Sequence, residues 1–252
     1  MKKWMMMSFC TVLASQNLQA DVVGGFMPLN ATWDMHLGVL VDKTTDTVHI
    51  QLSGPANRWF AVGFNNSNMS GTYTIVAEAT GANNIVERKM VGNGNPGSVI
   101  TSGLAVQSDT VTNNVRTVYL TRPRIGATAG HYTFADTADT IPIIYARGTG
   151  TTFSNHTGSN RDGSKSLTKE TPAAPKLAVQ SHGLSGIDLQ LTNLVFGVKN
   201  HLEVTDNLQS NTWSTAEVIE LAPPSTGPIG WLFSSNVTST VTNDTRFFRI
   251  SQ

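Results

Sequence analysis

Residues 33–41 read Trp-Asp-Met-His-Leu-Gly-Val-Leu-Val, and the apolar side chains fall on every second position: Trp33, Met35, Leu37, Val39 and Val41. A period of two marks an extended strand with one buried face, because successive side chains point to opposite sides of a sheet. Thr47-Val-His-Ile-Gln-Leu52 repeats the pattern, with Val48, Ile50 and Leu52 inward and His49 outward. The polar stretch 43–46 between them reads as a hairpin connection. Further strands are expected at 59–64, 73–79, 85–91, 105–108, 115–120, 131–134 and 141–145. A second group is expected at 187–196, 201–205, 217–221, 231–233 and 247–250. No stretch carries a sustained apolar stripe at helical spacing. Many short strands separated by Gly, Asn and Pro turns predict an all-β chain built on an immunoglobulin-like β-sandwich.

The composition agrees. Only 13% of the residues are charged, while turn-forming Gly, Asn, Ser and Thr are abundant. At the N-terminus, Lys2 and Lys3 precede an apolar run from Trp4 to Ala14, and a polar stretch leads to the small residue Ala20. This order predicts an export signal over residues 1–20, with an apolar run too short to span a bilayer. The only cysteine, Cys10, lies in the middle of that run, where a lipoprotein cleavage site does not fall. Cleavage would leave no disulfide, no thiolate metal site and no cysteine nucleophile. It would also leave fifteen basic side chains against seventeen acidic ones. That balance gives no reason to expect nucleic acid or an anionic membrane as a partner. No later apolar stretch approaches transmembrane length, so the product is expected to be periplasmic, on the cell surface or secreted.

Thr168-Lys-Glu-Thr-Pro-Ala-Ala-Pro-Lys-Leu177 carries two prolines and two alanines among polar residues, as an extended linker would. The expected organisation is a signal over 1–20, a β-sandwich over 21–168, a linker over 169–178 and a small β module over 179–252. Gly92-Asn-Gly94-Asn-Pro-Gly97 fits the dinucleotide pattern G-x-G-x-x-G, but Pro96 and the Ser/Thr/Gly-rich continuation leave no helix for the pattern to open. No G-x-S-x-G elbow, no H-E-x-x-H and no carboxylate pair in a recognisable setting occurs, and no enzymatic activity is expected. Asp136 and Asp139 flank a turn and are expected to shape it.

Several landmarks of residues 30–168 occur in a familiar order. Trp33 sits on an early strand, followed by Trp59-Phe-Ala-Val-Gly-Phe64 and then Met69 in a Gly/Ser/Asn-rich loop. Tyr119-Leu-Thr-Arg-Pro123 and Ile143-Ile-Tyr-Ala146 come next, and His156 follows with Gly158-Ser159. In this order and spacing the segment resembles the DOMON family, the β-sandwich of the cytochrome domain of cellobiose dehydrogenase and of dopamine β-monooxygenase. The resemblance covers a little over half the chain. It departs at Tyr145, where the family usually has tryptophan, and in the Gly/Thr-rich loop 146–155.

The resemblance implies a haem iron held by a methionine after the Gly-Phe strand end and a histidine after the late strand. Carried over, these are Met69 and His156. With no C-x-x-C-H thiols the haem would be non-covalent, of the b type. A thioether opposite an imidazole favours ferrous iron, and two protein ligands leave no open position for oxygen, so the implied role is one-electron transfer. Phe64, Tyr73, Met90, Tyr145 and Phe153 flank the ligand loops and are expected to line the pocket. Arg161, or alternatively Arg147, is expected to meet a haem propionate. The expected partner is a redox protein or another cytochrome.

The other histidines and methionines lack this placement. His36 and His49 fall on polar strand faces, His131 begins a strand, His182 and His201 fall in or beyond the linker, and Met35 and Met90 also read as core. A sandwich that binds a sugar or other small ligand without iron remains an alternative, as does a structural surface protein with a self-filled core. In the C-terminal piece, Trp213 and Trp231 read as core or as a carbohydrate-stacking surface.

Overall fold

The computed structural model describes residues 11–12, 21–79, 84–92, 95–154, 156, 162–173, 175–183, 186–195, 199–205, 212, 214–220, 232–239 and 247–251. The chain divides into two compact units. One comprises residues 21–171 and 223–231, the other residues 1–20, 172–222 and 232–252. Apart from one turn of 3-10 helix, the regular structure of the described residues is all strand.

The strands are β1 (Thr11–Val12), β2 (Val22–Asn30), β3 (Met35–Asp42), β4 (Thr47–Pro55), β5 (Phe60–Phe64), β6 (Tyr73–Ala77), β7 (Ile85–Lys89), β8 (Ser98–Val99), β9 (Ala105–Thr112), β10 (Val115–Pro123), β11 (Thr140–Arg147) and β12 (Asp162–Thr168). After β1, these form the larger unit as a β-sandwich. One sheet has the order β2-β3-β4-β10-β9 and the other β12-β11-β5-β6-β7-β8. The alternation at 33–41 is realised in β3: Met35, Leu37, Val39 and Val41 are all buried. Trp33 stands just outside the strand, in the 3-10 turn Ala31–Trp33, because Asn30 accepts from Thr32 N and Asp34 turns into the left-handed region.

Both sheets contribute to one core. Leu37, Ile50, Leu52 and Leu120 from the first sheet meet Phe60, Val62, Phe64, Ile75 and Ile143 from the second. The sheets are tied at one edge by Gly24 and Glu170, which exchange backbone hydrogen bonds of 2.9 and 2.7 Å. The sandwich therefore runs past the expected boundary at 168. Lys169 is fully buried and donates to Ala135 O at 2.5 Å and Thr137 O at 3.1 Å, beside Asp139 at 3.0 Å. A buried ammonium persists only when its protons find acceptors, and these three oxygens supply them.

Three expectations change. The stretch 131–134 is irregular, because Arg124 holds it: Phe134 N donates to Arg124 O, and Arg124 Nη1 donates to Phe134 O at 3.1 Å. Strands β2 and β12 are present without having been expected. β2 carries three weak strand formers, Gly24, Gly25 and Pro28, and β12 is almost wholly polar because it lies at a sheet edge.

In the smaller unit the strands are β13 (Lys176–Gly183), β14 (Gly186–Val195), β15 (Lys199–Thr205), β16 (Ser214–Glu220), β17 (Leu232–Ser239) and β18 (Phe247–Ser251). They pair as β13-β14-β17 and β1-β18-β15-β16 around Leu189, Leu191, Leu194, Leu202, Ile219 and Phe248. β13 starts inside the expected linker. Within the segment expected to be an export signal, Thr11–Val12 pairs with Phe247 and Phe248. Trp213 and Trp231 lie outside the described residues.

Candidate functional site

The two faces of the six-stranded sheet have unlike side chains. On β5, Phe60, Val62 and Phe64 point into the sandwich, leaving Ala61 and Gly63 on the outer face. Register carries this outer row across the neighbours. Gly63 pairs with Ile144 and Thr74, Ala61 pairs with Ala146 and Val76, Ile144 pairs with Ser164, and Ala146 pairs with Asp162. The centre of the outer face is thus alanine and glycine. Flanking loops rise around it and leave a half-open cleft of about 340 Å³, a size suited to a small ligand or cofactor.

One loop joins β5 to β6 and carries Met69. Its sequence Asn65-Asn-Ser-Asn-Met-Ser-Gly71 folds through side-chain amides that replace backbone partners, as asparagines do in turns. Asn66 Nδ2 donates to Ser70 O at 2.7 Å, Asn66 Oδ1 accepts from Asn68 N at 3.2 Å, and Asn68 Oδ1 accepts from Ser70 N at 2.9 Å. Gly71, at φ +70°, closes the loop, and its N–H donates to Met90 O at 3.0 Å. A side chain at 71 would be strained in that left-handed conformation.

The other loop joins β11 to β12 and carries His156. It is pinned to the start of β5 by Gly148 N to Trp59 O at 2.9 Å and Trp59 N to Gly150 O at 3.0 Å. Gly148 is needed for close approach: a Cβ there would lie 1.8 Å from Trp59 Nε1. Further along, Phe153 N donates to Glu78 Oε1 at 3.0 Å, and the Phe153 ring stands edge-on to Trp59 with centroids 4.8 Å apart. The His156 ring also meets Trp59 edge-on, at 6.2 Å.

Met69 and His156 both line the cleft. Because β5 and β11 are antiparallel, with Arg147 opposite Phe60 and Ile143 opposite Phe64, the two loops leave from opposite ends of the strands. The thioether and the imidazole therefore enter the cleft from opposite sides. Both are half-buried, between apolar walls provided by Trp59, Met90, Ile144 and Phe153.

Of the expected lining residues, Met90, Tyr145 and Phe153 border the cleft. Phe64 and Tyr73 do not. They fall on the inner positions of β5 and β6 and pack in the core, where Phe64 meets Phe134 edge-on at 5.2 Å. Arg147 also lies elsewhere, with its guanidinium 4.3 Å from the Trp33 ring centre. Arg161 is outside the described residues.

Beyond the floor residues and Ile144, further side chains at or beside the cleft went unnamed in the sequence reading. Trp59 forms a wall with its Nε1 buried and unpartnered among the described residues, and Thr74 Oγ1 is buried and unpartnered likewise. Asp162 places Oδ2 2.9 Å from His156 Nδ1, an ion-pair contact set off the direction of an aligned ring N–H bond. Arg88 does not itself line the cleft; its guanidinium stacks on the cleft wall Phe153, 4.9 Å from the ring centre. Strand parity was the available signal: Thr74, Arg88 and Asp162 share the outer parity with Gly63 and Ala146.

The donor set suits an iron porphyrin. It combines one soft sulfur with one imidazole, whose Nδ1 lies beside the Asp162 carboxylate. Apolar walls and a small-residue floor leave space for a flat apolar body. Among the described residues no group of three or more His, Cys, Asp or Glu side chains converges.

No family model and no curated protein matches the chain. Among solved structures it is similar to the cytochrome b domain of pyranose dehydrogenase from Coprinopsis cinerea. The identity is 14% and the TM-score 0.43, over 56% of this chain and 80% of that one.

Proposed function

We propose that this chain is an exported, non-enzymatic electron-transfer protein whose sandwich holds one non-covalent b-type haem between Met69 and His156. The observation that carries the reading is the cleft itself: a thioether and an imidazole, 87 residues apart in sequence, enter one apolar cavity from opposite strand ends. When bound, haem supplies a one-electron couple.

The residues of this chain do the rest. Met69 offers sulfur, which stabilises the reduced metal relative to a second imidazole. Asp162, with Oδ2 2.9 Å from Nδ1, would leave His156 Nε2 as the nitrogen that holds the metal. Trp59, Ile144 and Phe153 exclude water, which raises the weight of each electrostatic contact inside. The open side of the cleft gives a redox partner protein or another cytochrome a short path to the ligand edge. Among the described residues no helix is long and apolar enough to cross a membrane.

Titration of the purified protein with haem, followed by absorption spectroscopy, tests the proposal. A low-spin six-coordinate spectrum is expected, changing to a high-spin or mixed one in Met69→Ala and His156→Ala. A spectrum unchanged in both variants refutes the ligand pair. Protein that takes up no haem but binds glycans supports a sugar-binding module instead.

A further inference from the structure

We infer that Arg88, stacked on the cleft wall Phe153, is the carboxylate-binding residue beside the cleft and anchors a haem propionate; this rests on the haem reading above. The argument begins with register. Gly63 pairs with Thr74, and Thr74 pairs with Arg88, so the three lie in one line across β5, β6 and β7 on the outer face. Adjacent strands are spaced about 4.8 Å, which puts the Arg88 backbone about 10 Å from the cleft floor at Gly63. The side chain leans back toward the cleft, since its guanidinium rests on Phe153, a cleft wall.

The charge of Arg88 is left available. Its Nη1 donates to Gly97 O at 3.3 Å, its Nε is buried without a partner, and it forms no ion pair with any described carboxylate. The adjacent Glu87 cannot serve, because it faces the opposite side of the sheet. There it accepts from Tyr73 Oη at 2.5 Å, Ser102 Oγ at 2.9 Å and Gly103 N at 2.6 Å.

The line is also asymmetric. At its β12 end stand Ser164 and, one row away, the carboxylate of Asp162. Glu78 also reaches Phe153, accepting from its N–H, so it is the guanidinium of Arg88 on the Phe153 ring to which an acidic substituent of a flat ligand lying across these strands is drawn. Arginine suits that task, because its planar fork meets a carboxylate through two parallel N–H bonds.

The test compares haem with its dimethyl ester, in which both propionates are capped, on wild type and Arg88→Gln. A charge-assisted hydrogen bond of this kind corresponds to about 10–100-fold in affinity. Wild type is expected to prefer haem over the ester by that factor. Arg88→Gln is expected to lose the preference while keeping its ester affinity, and Arg88→Lys to retain part of it. A merely structural role through Phe153 would weaken both ligands alike and leave the ratio intact. An unchanged ratio in Arg88→Gln and Arg88→Lys overturns the assignment to Arg88 alone. Wild type that binds neither ligand overturns the haem reading with it.

Discussion

The inner and outer faces of the six-stranded sheet are made by alternate residues of the same strands, yet one is a core and the other a cleft. Inward, β5 presents Phe60, Val62 and Phe64, which join Tyr73, Ile75 and Ile143 in an interior with almost no exposure. Outward, it presents only Ala61 and Gly63, and its neighbours add Thr74, Ile144 and Ala146. A strand writes two independent messages on alternate positions. Here one message specifies the sandwich core, while the other packs only a small cluster of Trp59, Ala61 and Val76 beside a cleft whose walls come partly from loops.

Substitutions on the two faces should therefore fail differently. The largest effect on folding is expected from Phe64→Ala, at about 3–5 kcal/mol, because the ring is buried among Tyr73, Tyr132 and Phe134. Urea unfolding measures it, and haem binding should persist where the variant remains folded. The converse variant is Ala146→Leu on the outer face. It should lower haem affinity by about 100-fold, or about 2.7 kcal/mol, with unfolding free energy within about 1 kcal/mol of wild type. If both variants lose stability equally, the distinction between faces is wrong.

A smaller inner-face effect is expected at Glu87→Ala, about 1–3 kcal/mol by the same unfolding measurement. The change strands Tyr73 Oη and Gly103 N, which now donate to the carboxylate. Burial also raises the Tyr73 pKa far above the ordinary phenol, so Tyr73 stays a donor at any working pH. The weakest effect is expected on the other sheet. There burial lowers the pKa of His49 from its ordinary 6.5, only partly offset by the Asp42 charge. A depressed histidine binds protons more readily when unfolded, so its contribution is full above pH 6.5 and shrinks as pH falls below it. His49→Gln should flatten the stability profile below pH 6.5 in thermal melts.

The inward positions of the five-stranded sheet were legible from sequence over 33–41 and 47–52, where burial and alternation coincide. The donors Met69 and His156 stood out through their loops and the family resemblance. Phe64 and Tyr73 were misplaced because nearness in sequence to a ligand loop was taken for nearness in space, although their parity puts them inside. Arg88 and Asp162 were missed because their contacts with Phe153 and His156 are not visible in sequence, Phe153 lying 65 residues from Arg88. Only the register of β6, β7, β11 and β12 brings them to the cleft. β2 and β12 escaped notice because glycine, proline and polar residues obscure period-two signals at edges.

The central claim is that one sulfur and one imidazole from this chain meet at a single iron. X-ray absorption at the iron edge of the haem-loaded protein tests it most directly. The account predicts one sulfur and one non-porphyrin nitrogen in the metal's first shell, the sulfur vanishing in Met69→Ala. A first shell of light atoms only in the wild-type protein would contradict it.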